Sequence, residues 1–350
     1  MNDQITYVSI IIPMHNASQT LEICLRSVQQ QSFQNLEVLL VDDGSSDNTL
    51  EIARHLIHKD ERFVLLSLPH NLGPGAARNL ALSQAKGEFV FFMDADDHLP
   101  QDAIETLVRF AKKHHLDFVS APHIQDRGMQ GQHLKDGKIT EDTIFTQENL
   151  LSYIHNYTRL PYVYTAFVHC WGKLYRNELI QQHSLRFDES LTQMEDVHFN
   201  FHILSCCHQV GYQFQPTYYH HIAEQSTSLS TKMGQEDQPA LKMERALSSL
   251  RDFAQEIDPQ QEKLSRQQLH HLYISMVVIS ILRLCREFIK TPSWQFYSRI
   301  QYWVSSEQVR QQRADYMPQV GESRLLGWCL RHGFTPGVFI IGILRILKLH

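Results

Sequence analysis

The sequence has few cysteines and no long apolar run, and both absences narrow the class of protein. Its six cysteines form no C-x-x-C pair and no regular framework. This argues against a disulfide scaffold and a structural zinc site, and it favours a reducing compartment. No stretch reaches the roughly 18 consecutive apolar residues of a transmembrane helix. The first residues lack a basic segment and are expected to form a strand, not a signal peptide.

Basic residues are too few for a protein that coats nucleic acid. The 350 residues include 32 Lys and Arg against 38 Asp and Glu, which gives a formal net charge of −6. Because nucleic-acid binding calls for a basic face, we expect no nucleic-acid partner. Hydrophobic residues at 43% and charged residues at 20% are an ordinary globular balance, and the length suggests about two domains.

Strand and helix patterns alternate over the first 121 residues. Short apolar runs predict five strands, at Tyr7–Ile12, Leu36–Val41, Phe63–Leu68, Phe89–Met93 and Asp117–Ala121. Between them, apolar residues recur with the spacing of amphipathic helices. This alternation predicts right-handed crossovers and a largely parallel sheet. In such sheets, ligands bind beyond the carboxyl ends of the strands.

Two acidic clusters follow predicted strands at this edge. The first, around Asp43, is also compatible with a plain turn before a helix. The second, Asp94-Ala95-Asp96-Asp97, follows a buried strand, and its carboxylates repel one another unless a divalent cation lies between them. The turn at residues 73–78 is a weak dinucleotide fingerprint, because it follows the third strand and Arg78 replaces the third glycine.

Six segments then occur in a recognisable order and spacing. They are Ser9–Asn16, Val41–Asp47, Asn71–Asn79, Phe92–Asp97, Trp171–Tyr175 and Glu195–Phe199. Over roughly residues 6–230 this series resembles the family 2 inverting glycosyltransferases of the GT-A fold. The resemblance implies a Rossmann-like α/β mixed sheet of the nucleotide-diphospho-sugar transferase type. Past about Lys232 the resemblance fades, and the residue pattern predicts a C-terminal helical extension. One departure is His15, where the family usually has tyrosine.

The resemblance also implies a domain division. A GT-A domain is expected over residues 1–232, with a nucleotide-binding half at 1–121 and an acceptor half at 122–232. Residues 233–350 are expected to form a helical region, with helices at Leu241–Ile257 and Gln267–Ile289.

By resemblance, one set of residues would bind the nucleotide-sugar: Pro13, His15, Asn16, Asp43, Arg78, Asp94, Ala95 and Asp96. The Asp43 carboxylate would accept a hydrogen bond from the uracil imide N–H, and Arg78 would lie near the base or phosphates. Asp94 and Asp96 would hold Mn²⁺ or Mg²⁺, with Asp96 the direct ligand.

The catalytic base implied by the resemblance is Asp196, with Glu195 as its neighbour and second choice. Inversion needs a base that deprotonates the acceptor hydroxyl during attack. The alternative for both residues is a plain acidic first turn of a helix.

Four further residues have weaker implied roles. Trp171 and Lys173 would lie on the acceptor side, although Trp171 is equally suited to the core. His221 and Ser226 would meet the diphosphate; the alternative for His221 is a packed or solvent-facing side chain.

The resemblance therefore implies a metal-dependent inverting glycosyltransferase. It would move a sugar from a nucleotide-sugar, expected to be a UDP-sugar, to a glycan or glycolipid acceptor in lipooligosaccharide, capsule or other surface-polysaccharide synthesis. The alternatives are a nucleotidyltransferase of related fold and a noncatalytic glycan-binding or membrane scaffold protein. The nucleotidyltransferase typically has a Gly-rich basic loop after its first strand, which Pro13-Met14-His15-Asn16 lacks.

The last residues suggest attachment to a membrane. Residues 335–349 are almost entirely apolar apart from Gly342, Arg345 and Lys348, which are spaced three apart and would form one narrow polar stripe on a helix. Such a helix suits the plane of the membrane interface, here the cytoplasmic face of the inner membrane. Docking on the core and dimer packing are the alternatives. The oligomeric state cannot be read from the sequence.

Overall fold

The strand and helix alternation of the sequence is present in the computed structural model. The structure describes residues 7–126, 132–135, 138–191, 193–222, 238–260, 263–316, 318 and 323–348. The chain divides into two units, one of residues 1–149 with 165–225 and the other of residues 150–164 with 226–350. Residues 150–164 thus group with the later part of the chain. The predicted boundary at residue 232 stays a prediction.

The first unit contains a large mixed sheet and a small one. Its strands are β1 (Val8–Met14), β2 (Leu36–Asp42), β3 (Phe63–Ser67), β4 (Phe89–Phe92), β5 (Phe118–Ser120), β6 (His123–Asp126), β7 (Gln132–Lys135), β8 (Thr143–Phe145), β9 (Leu174–Arg176), β10 (Val210–Tyr212) and β11 (Tyr218–His221). The large sheet has the order β3-β2-β1-β4-β9-β5-β10-β8, and the small one β11-β6-β7. β1 pairs in parallel with β2 and β4, whereas β9 is antiparallel to β4 and β5. This confirms the predicted mixed α/β sheet.

Helices connect these strands. They are α1 (Leu21–Gln29), α2 (Thr49–Ile57), α3 (Pro74–Leu82), α4 (Ala103–His114), α5 (Gln147–Arg159), α6 (Asn177–Gln182) and α7 (Glu195–Cys206). The helix α1 buries Leu21, Cys24, Leu25 and Val28, the apolar spacing seen in the sequence. Every residue of β2 is buried, as expected of a strand covered on both faces. The core therefore fixes the strand ends, and the residues after β1, β2 and β4 meet at one edge of the sheet.

The second unit is helical over its described residues. After residue 225 its helices are α8 (Pro239–Ala246), α9 (Ser248–Ile257), α10 (Arg266–Lys290), α11 (Trp294–Ser305), α12 (Glu307–Gln312), α13 (Arg324–His332) and α14 (Thr335–Lys348). The single helix predicted at Leu241–Ile257 is two helices, because the helix is interrupted at Leu247. There the Ser248 hydroxyl donates to the Arg245 carbonyl at 2.8 Å, a local bond that competes with helix continuation.

The C-terminal helix α14 corrects one sequence expectation. Gly342 does not lie on an exposed polar stripe with Arg345 and Lys348, since it is buried. A Cβ placed there would lie 2.6 Å from the Cys285 Sγ of α10, so the glycine permits close helix packing. Within the part of the chain that the structure describes, none of the helices has both the length and the hydropathy of a membrane span.

We predict that Gly44→Ala destabilises the protein strongly. Gly44 has φ +62°, and an added Cβ would lie 2.6 Å from the His70 carbonyl carbon. Left-handed strain and a backbone clash together should lower the free energy of unfolding by about 2–5 kcal/mol. Denaturant unfolding monitored by circular dichroism measures this loss.

Gly75→Ala is the matched control. Its Cβ would meet Phe187 Cβ at an ordinary 3.4 Å inside the helix α3. We expect a change within about 1 kcal/mol. Equal losses in the two variants would contradict this account of the loop after β2.

Candidate active site

The acidic loop after β2 is tied to the turn that opens α3. Asp43 is only 3% exposed. Its Oδ1 accepts the Leu72 backbone N–H at 2.7 Å, and its Oδ2 accepts that of Gly73 at 2.9 Å. The Asp43 N–H donates to the Met14 carbonyl at 2.8 Å. Asp43 thereby joins the ends of β1 and β2 to the helix α3.

The segment after β1 is held against the same loop. The His15 Nδ1 lies 2.8 Å from the Asp43 carbonyl oxygen, so Nδ1 carries the proton. The His15 Nε2 can then accept from the Asn16 side-chain amide at 3.1 Å. Asn16 has φ +51°, and its Oδ1 accepts the Ser46 N–H at 2.8 Å. The half-buried Pro13 precedes this exposed pair. The structure thus brings together Pro13, His15, Asn16 and Asp43, whose role in binding a base stays a prediction.

A buried arginine connects two distant parts of the chain. Arg78 of α3 has a side chain that is 4% exposed. Its Nη2 lies 2.9 Å from Asp94 Oδ1, and its Nη1 lies 3.1 Å from Glu195 Oε1 and 3.4 Å from Asp196 Oδ1. Its guanidinium also lies 5.3 Å from the centre of the Phe187 ring. Arg78 therefore joins the loop after β4 to the first turn of α7, and it is not an open wall of a base pocket.

The two acids of α7 differ in protonation. Burial and the nearby Asp196 raise the pKa of Glu195 to about 8, against the attraction of Arg78. Burial also opposes ionisation of Asp196, but Arg78, His169 and the Cys170 N–H outweigh it and lower its pKa. The Cys170 N–H donates to Asp196 Oδ2 at 3.2 Å. At neutral pH, Glu195 therefore keeps its proton, which it donates to an ionised Asp196.

Three carboxylates crowd the loop after β4. Asp94, Asp96 and Asp97 each offer an oxygen, and these oxygens lie within 4.8 Å of one another. Crowding by the surrounding protein, together with Asp97 and Asp94, raises the pKa of the exposed Asp96 to about 7. Burial and Asp97 likewise raise the pKa of Asp94, although Arg78 opposes this. Clustered carboxylate oxygens are the ligands that hard divalent cations prefer, so the donor set fits Mn²⁺ or Mg²⁺.

The third carboxylate has a different role, which sequence reasoning missed. Asp97 is 1% exposed. It accepts from the Tyr218 hydroxyl at 2.6 Å and from the His221 backbone N–H at 2.8 Å, and it lies 3.2 Å from His220 Nδ1. The Tyr218 hydroxyl oxygen in turn accepts the Asp94 N–H at 3.1 Å. Asp97 and Tyr218 thus anchor the acidic loop to β11. The signal of this role in the sequence is that Asp97 directly follows Asp94-Ala95-Asp96.

Asn200, also missed, fixes the loop that contacts Asp196. It is fully buried on α7, one turn after Asp196. Its side-chain amide nitrogen lies 2.9 Å, 3.1 Å and 2.9 Å from the carbonyl oxygens of Phe167, Val168 and His169. Its Oδ1 accepts from the Tyr175 hydroxyl at 2.8 Å. The signal in the sequence is a polar residue four positions after Asp196 among apolar neighbours.

The remaining predicted residues are more enclosed. Trp171 is 7% exposed and stacks on Tyr218 at 4.7 Å between ring centroids, and Lys173 is 2% exposed. Neither presents an open face, so their acceptor role stays a prediction that no contact supports. Ala95 is buried, and its carbonyl accepts from the Thr20 hydroxyl at 3.1 Å. His221 is half-buried beside Asp97, and Ser226 lies outside the described residues.

Comparison with known proteins identifies the family of the chain. The model of the family described as Glycosyl transferase family 2 matches residues 9–184, half of the chain. The chain therefore belongs to glycosyl transferase family 2, as the sequence motifs predicted.

Proteins of similar sequence are also described as glycosyltransferases. An uncharacterized glycosyltransferase of Haemophilus influenzae is 42% identical over 109 residues, which are 31% of this chain and 44% of the relative. The putative glycosyltransferase EpsH of Bacillus subtilis is 29% identical over 217 residues, 61% of this chain and 60% of the relative. The matches thus span less than two thirds of these relatives.

Solved structures confirm the GT-A fold. The crystal structure of Staphylococcus aureus TarS 1-349 is 20% identical, with a TM-score of 0.66 over 99% of this chain and 92% of that chain. The same protein in complex with UDP-GlcNAc gives a TM-score of 0.64 at 21% identity, over 98% of this chain and 92% of that chain. These likenesses extend through the C-terminal helices.

We predict that Arg78→Met destabilises the protein in a pH-dependent way. The change removes the positive charge that faces Asp94, Asp196 and the protonated Glu195, and losing one partner of a buried ion pair costs about 3–5 kcal/mol. Without Arg78, Asp94 and Asp196 must take up protons to stay buried, so the variant gains stability as the pH falls. Its deficit against the native chain should be larger at pH 8 than at pH 5.5 in urea unfolding.

Two variants serve as controls. Arg62→Met removes a more exposed ion pair with Asp60 and should cost at most about 1 kcal/mol at either pH. Arg78→Lys keeps the charge but loses the forked geometry, so it should fall between the two. A deficit for Arg78→Met that is small, or equal at the two pH values, would contradict the charge arrangement.

Proposed function

We propose that this protein is a metal-dependent inverting glycosyltransferase that moves a sugar from a UDP-sugar to a hydroxyl of a glycan acceptor. The observation that carries the proposal is the position of Arg78 between Asp94 and the acidic pair of α7. A donor diphosphate near Asp94 and a base at Asp196 would then lie on two sides of the Arg78 guanidinium. Inverting transfer needs its leaving group and its base on opposite faces of the sugar.

The donor would bind at the edge formed by the ends of β1 and β2. Pro13, His15 and Asn16 line this edge, with Asp43 beneath them. A carboxylate only accepts hydrogen bonds, and each of its oxygens has a second lone pair beside the one used by the backbone. This suits the imide N–H of uracil better than cytosine. The TarS complex with UDP-GlcNAc supports a UDP donor of this kind.

The metal would be held by Asp96 and Asp94. Asp96 is exposed, and its carboxylate has no side-chain hydrogen-bond partner among the described residues. Asp94 keeps Oδ2 available while Oδ1 pairs with Arg78. When bound, Mn²⁺ or Mg²⁺ would neutralise the charge that develops on the UDP leaving group. Asp97 would keep the loop in place through Tyr218 and His221.

Asp196 would take the proton of the acceptor hydroxyl. A general base must be ionised at the working pH, and the lowered pKa of Asp196 meets this condition, whereas Glu195 is protonated. The protonated Glu195 would orient the Asp196 carboxylate through a hydrogen bond. The Cys170 N–H, held by the Asn200 contacts to residues 167–169, would fix its second oxygen.

The acceptor would be a glycan, free or linked to lipid, in the synthesis of a bacterial surface polysaccharide. UDP-sugars are made in the cytoplasm, so the reaction would take place there, at the cytoplasmic face of the membrane when the acceptor is lipid-linked. TarS of Staphylococcus aureus, described as a poly(ribitol-phosphate) β-N-acetylglucosaminyltransferase, supports a polymeric acceptor.

We predict opposite results for two isosteric changes in the acidic pair. Asp196→Asn cannot take a proton, so turnover should fall about 10²-fold or more while UDP binding persists. Glu195→Gln reproduces the protonated side chain: its carbonyl accepts from Arg78 and its amide donates to Asp196. It should keep activity within about threefold of the native chain. Steady-state rates over a panel of UDP-sugars measure both.

The pH dependence adds a second readout. Above about pH 8, the native Glu195 loses its proton and places a second negative charge beside Asp196, so the rate should decline. Glu195→Gln cannot titrate and should lack this decline. An inactive Glu195→Gln beside an active Asp196→Asn would reverse the roles. If the native chain turns over no nucleotide-sugar and binds a glycan instead, it is a noncatalytic protein.

We predict that Asp96→Ala abolishes metal-dependent UDP binding and transfer. The diphosphate would lose the cation that joins it to the acidic loop. Calorimetric titration with UDP, with and without Mn²⁺, should give a tight metal-dependent phase only in the native chain. Asp252→Ala, an exposed acid on α9, is the control and should match the native chain. Full activity in EDTA would contradict the metal role.

A further inference from the structure

The last two helices expose an unusual amount of apolar surface. We use the term C-terminal face for six side chains of α13, α14 and their junction, each at least 50% exposed: Leu325, Trp328, Phe334, Ile340, Leu344 and Leu347. Single exposed apolar residues are common, but six within 23 positions of two consecutive helices form a concentrated patch.

The helix α14 packs on the core along one side and is exposed along the other. Its inner side buries Val338, Gly342 and Ile346. Gly342 packs on Cys285 of α10, and the Phe339 ring lies 5.0 Å from that of Phe288. Its outer residues Ile340, Leu344 and Leu347 follow at i, i+4 and i+7 and are 51–56% exposed. Three of the eight Val, Ile, Leu and Phe side chains of α14 therefore remain exposed after the helix has packed on the core.

The charge around the C-terminal face is predominantly positive. Residues 323–348 contain Arg324, Arg331, Arg345 and Lys348 but no Asp or Glu, in a chain of net charge −6. The end of α10, which packs on α14, adds Arg283, Arg286 and Lys290 against Glu287, which pairs with Lys290. A surface with apolar side chains and clustered basic residues complements an anionic lipid surface.

Tryptophan placement agrees with a lipid interface. Of the four tryptophans, Trp294 and Trp328 are 78% and 53% exposed. Trp294 begins α11, and its ring contacts Tyr297, which in turn contacts Phe339 of α14. Tryptophan favours the boundary between lipid and water, because its ring is apolar and its N–H is polar.

We propose that the C-terminal face binds the surface of an anionic phospholipid bilayer, with α14 lying in the plane of the interface. A second copy of the chain is a poorer occupant, because joining two such faces would bring two basic clusters together. The inference deepens the proposed function by naming the surface through which the enzyme reaches a lipid-linked acceptor. Vesicle binding requires no catalysis, so the two proposals can fail separately.

The test is cosedimentation of the full chain with vesicles. We expect binding to vesicles of phosphatidylcholine with about 30% phosphatidylglycerol, and weak binding to vesicles of phosphatidylcholine alone. High salt should weaken binding to the anionic vesicles. Leu344→Asp should reduce partitioning about tenfold or more, because it places a charge where an apolar side chain would enter the lipid. Arg324→Glu with Lys348→Glu should reduce anionic binding by a similar factor.

Matched variants separate the face from general effects. Leu241→Asp changes an exposed leucine of α8, and Arg310→Glu changes an exposed arginine of α12; both should bind vesicles like the native chain. Circular dichroism should show all variants folded, and donor hydrolysis in solution should be unchanged by Leu344→Asp. The proposal is overturned if the native chain ignores anionic vesicles, or if Leu241→Asp weakens binding as much as Leu344→Asp. It is also overturned if Leu344→Asp only converts a dimer to a monomer.

Discussion

The candidate site depends on one buried guanidinium. Arg78 contacts Asp94 from the loop after β4 and the acidic pair at the start of α7, at 2.9–3.4 Å. A buried arginine is tolerated only with counter-charges and hydrogen bonds, and the buried acids need the arginine in return. The relative positions of α3, the acidic loop and α7 are therefore set together. Moving any one of these elements away from the other two would leave a buried charge without its partner.

The adjacent acids Glu195 and Asp196 share the Arg78 guanidinium but differ in protonation. Three carboxylates surround one positive charge, so they cannot all ionise without repulsion. Asp196 also receives the Cys170 N–H and faces His169, whereas Glu195 has the less exposed side chain and lies beside the charge of Asp196. The proton consequently stays on Glu195. The arrangement supplies an ionised base next to a fixed hydrogen-bond donor, which is what deprotonating an acceptor hydroxyl requires.

Local features of this protein could be predicted from its sequence, and long-range ones could not. The strands and the acidic residues at their ends follow from short apolar runs, and the six motif segments pointed to the family that the comparisons confirm. The contact between Arg78 and Glu195, however, joins residues 117 positions apart, and no local pattern encodes it. The burial of Lys173 also escaped prediction, and that of Trp171 was only one of two alternatives, because a sequence does not show which face of a strand or loop is covered. Asp97 differs from Asp96 only through Tyr218 and β11, which arrive from 121 positions away.

The central claim is that Glu195 holds a proton at neutral pH while Asp196 is ionised. The most direct measurement is a ¹³C NMR titration of side-chain carboxyls in protein labelled at Asp and Glu. We expect one Glu carboxyl that titrates at about pH 8 and is absent from Glu195→Gln, together with an Asp carboxyl that stays ionised throughout and is absent from Asp196→Asn. If no Glu carboxyl titrates near pH 8, or if that signal survives in Glu195→Gln, the charge arrangement around Arg78 is wrong.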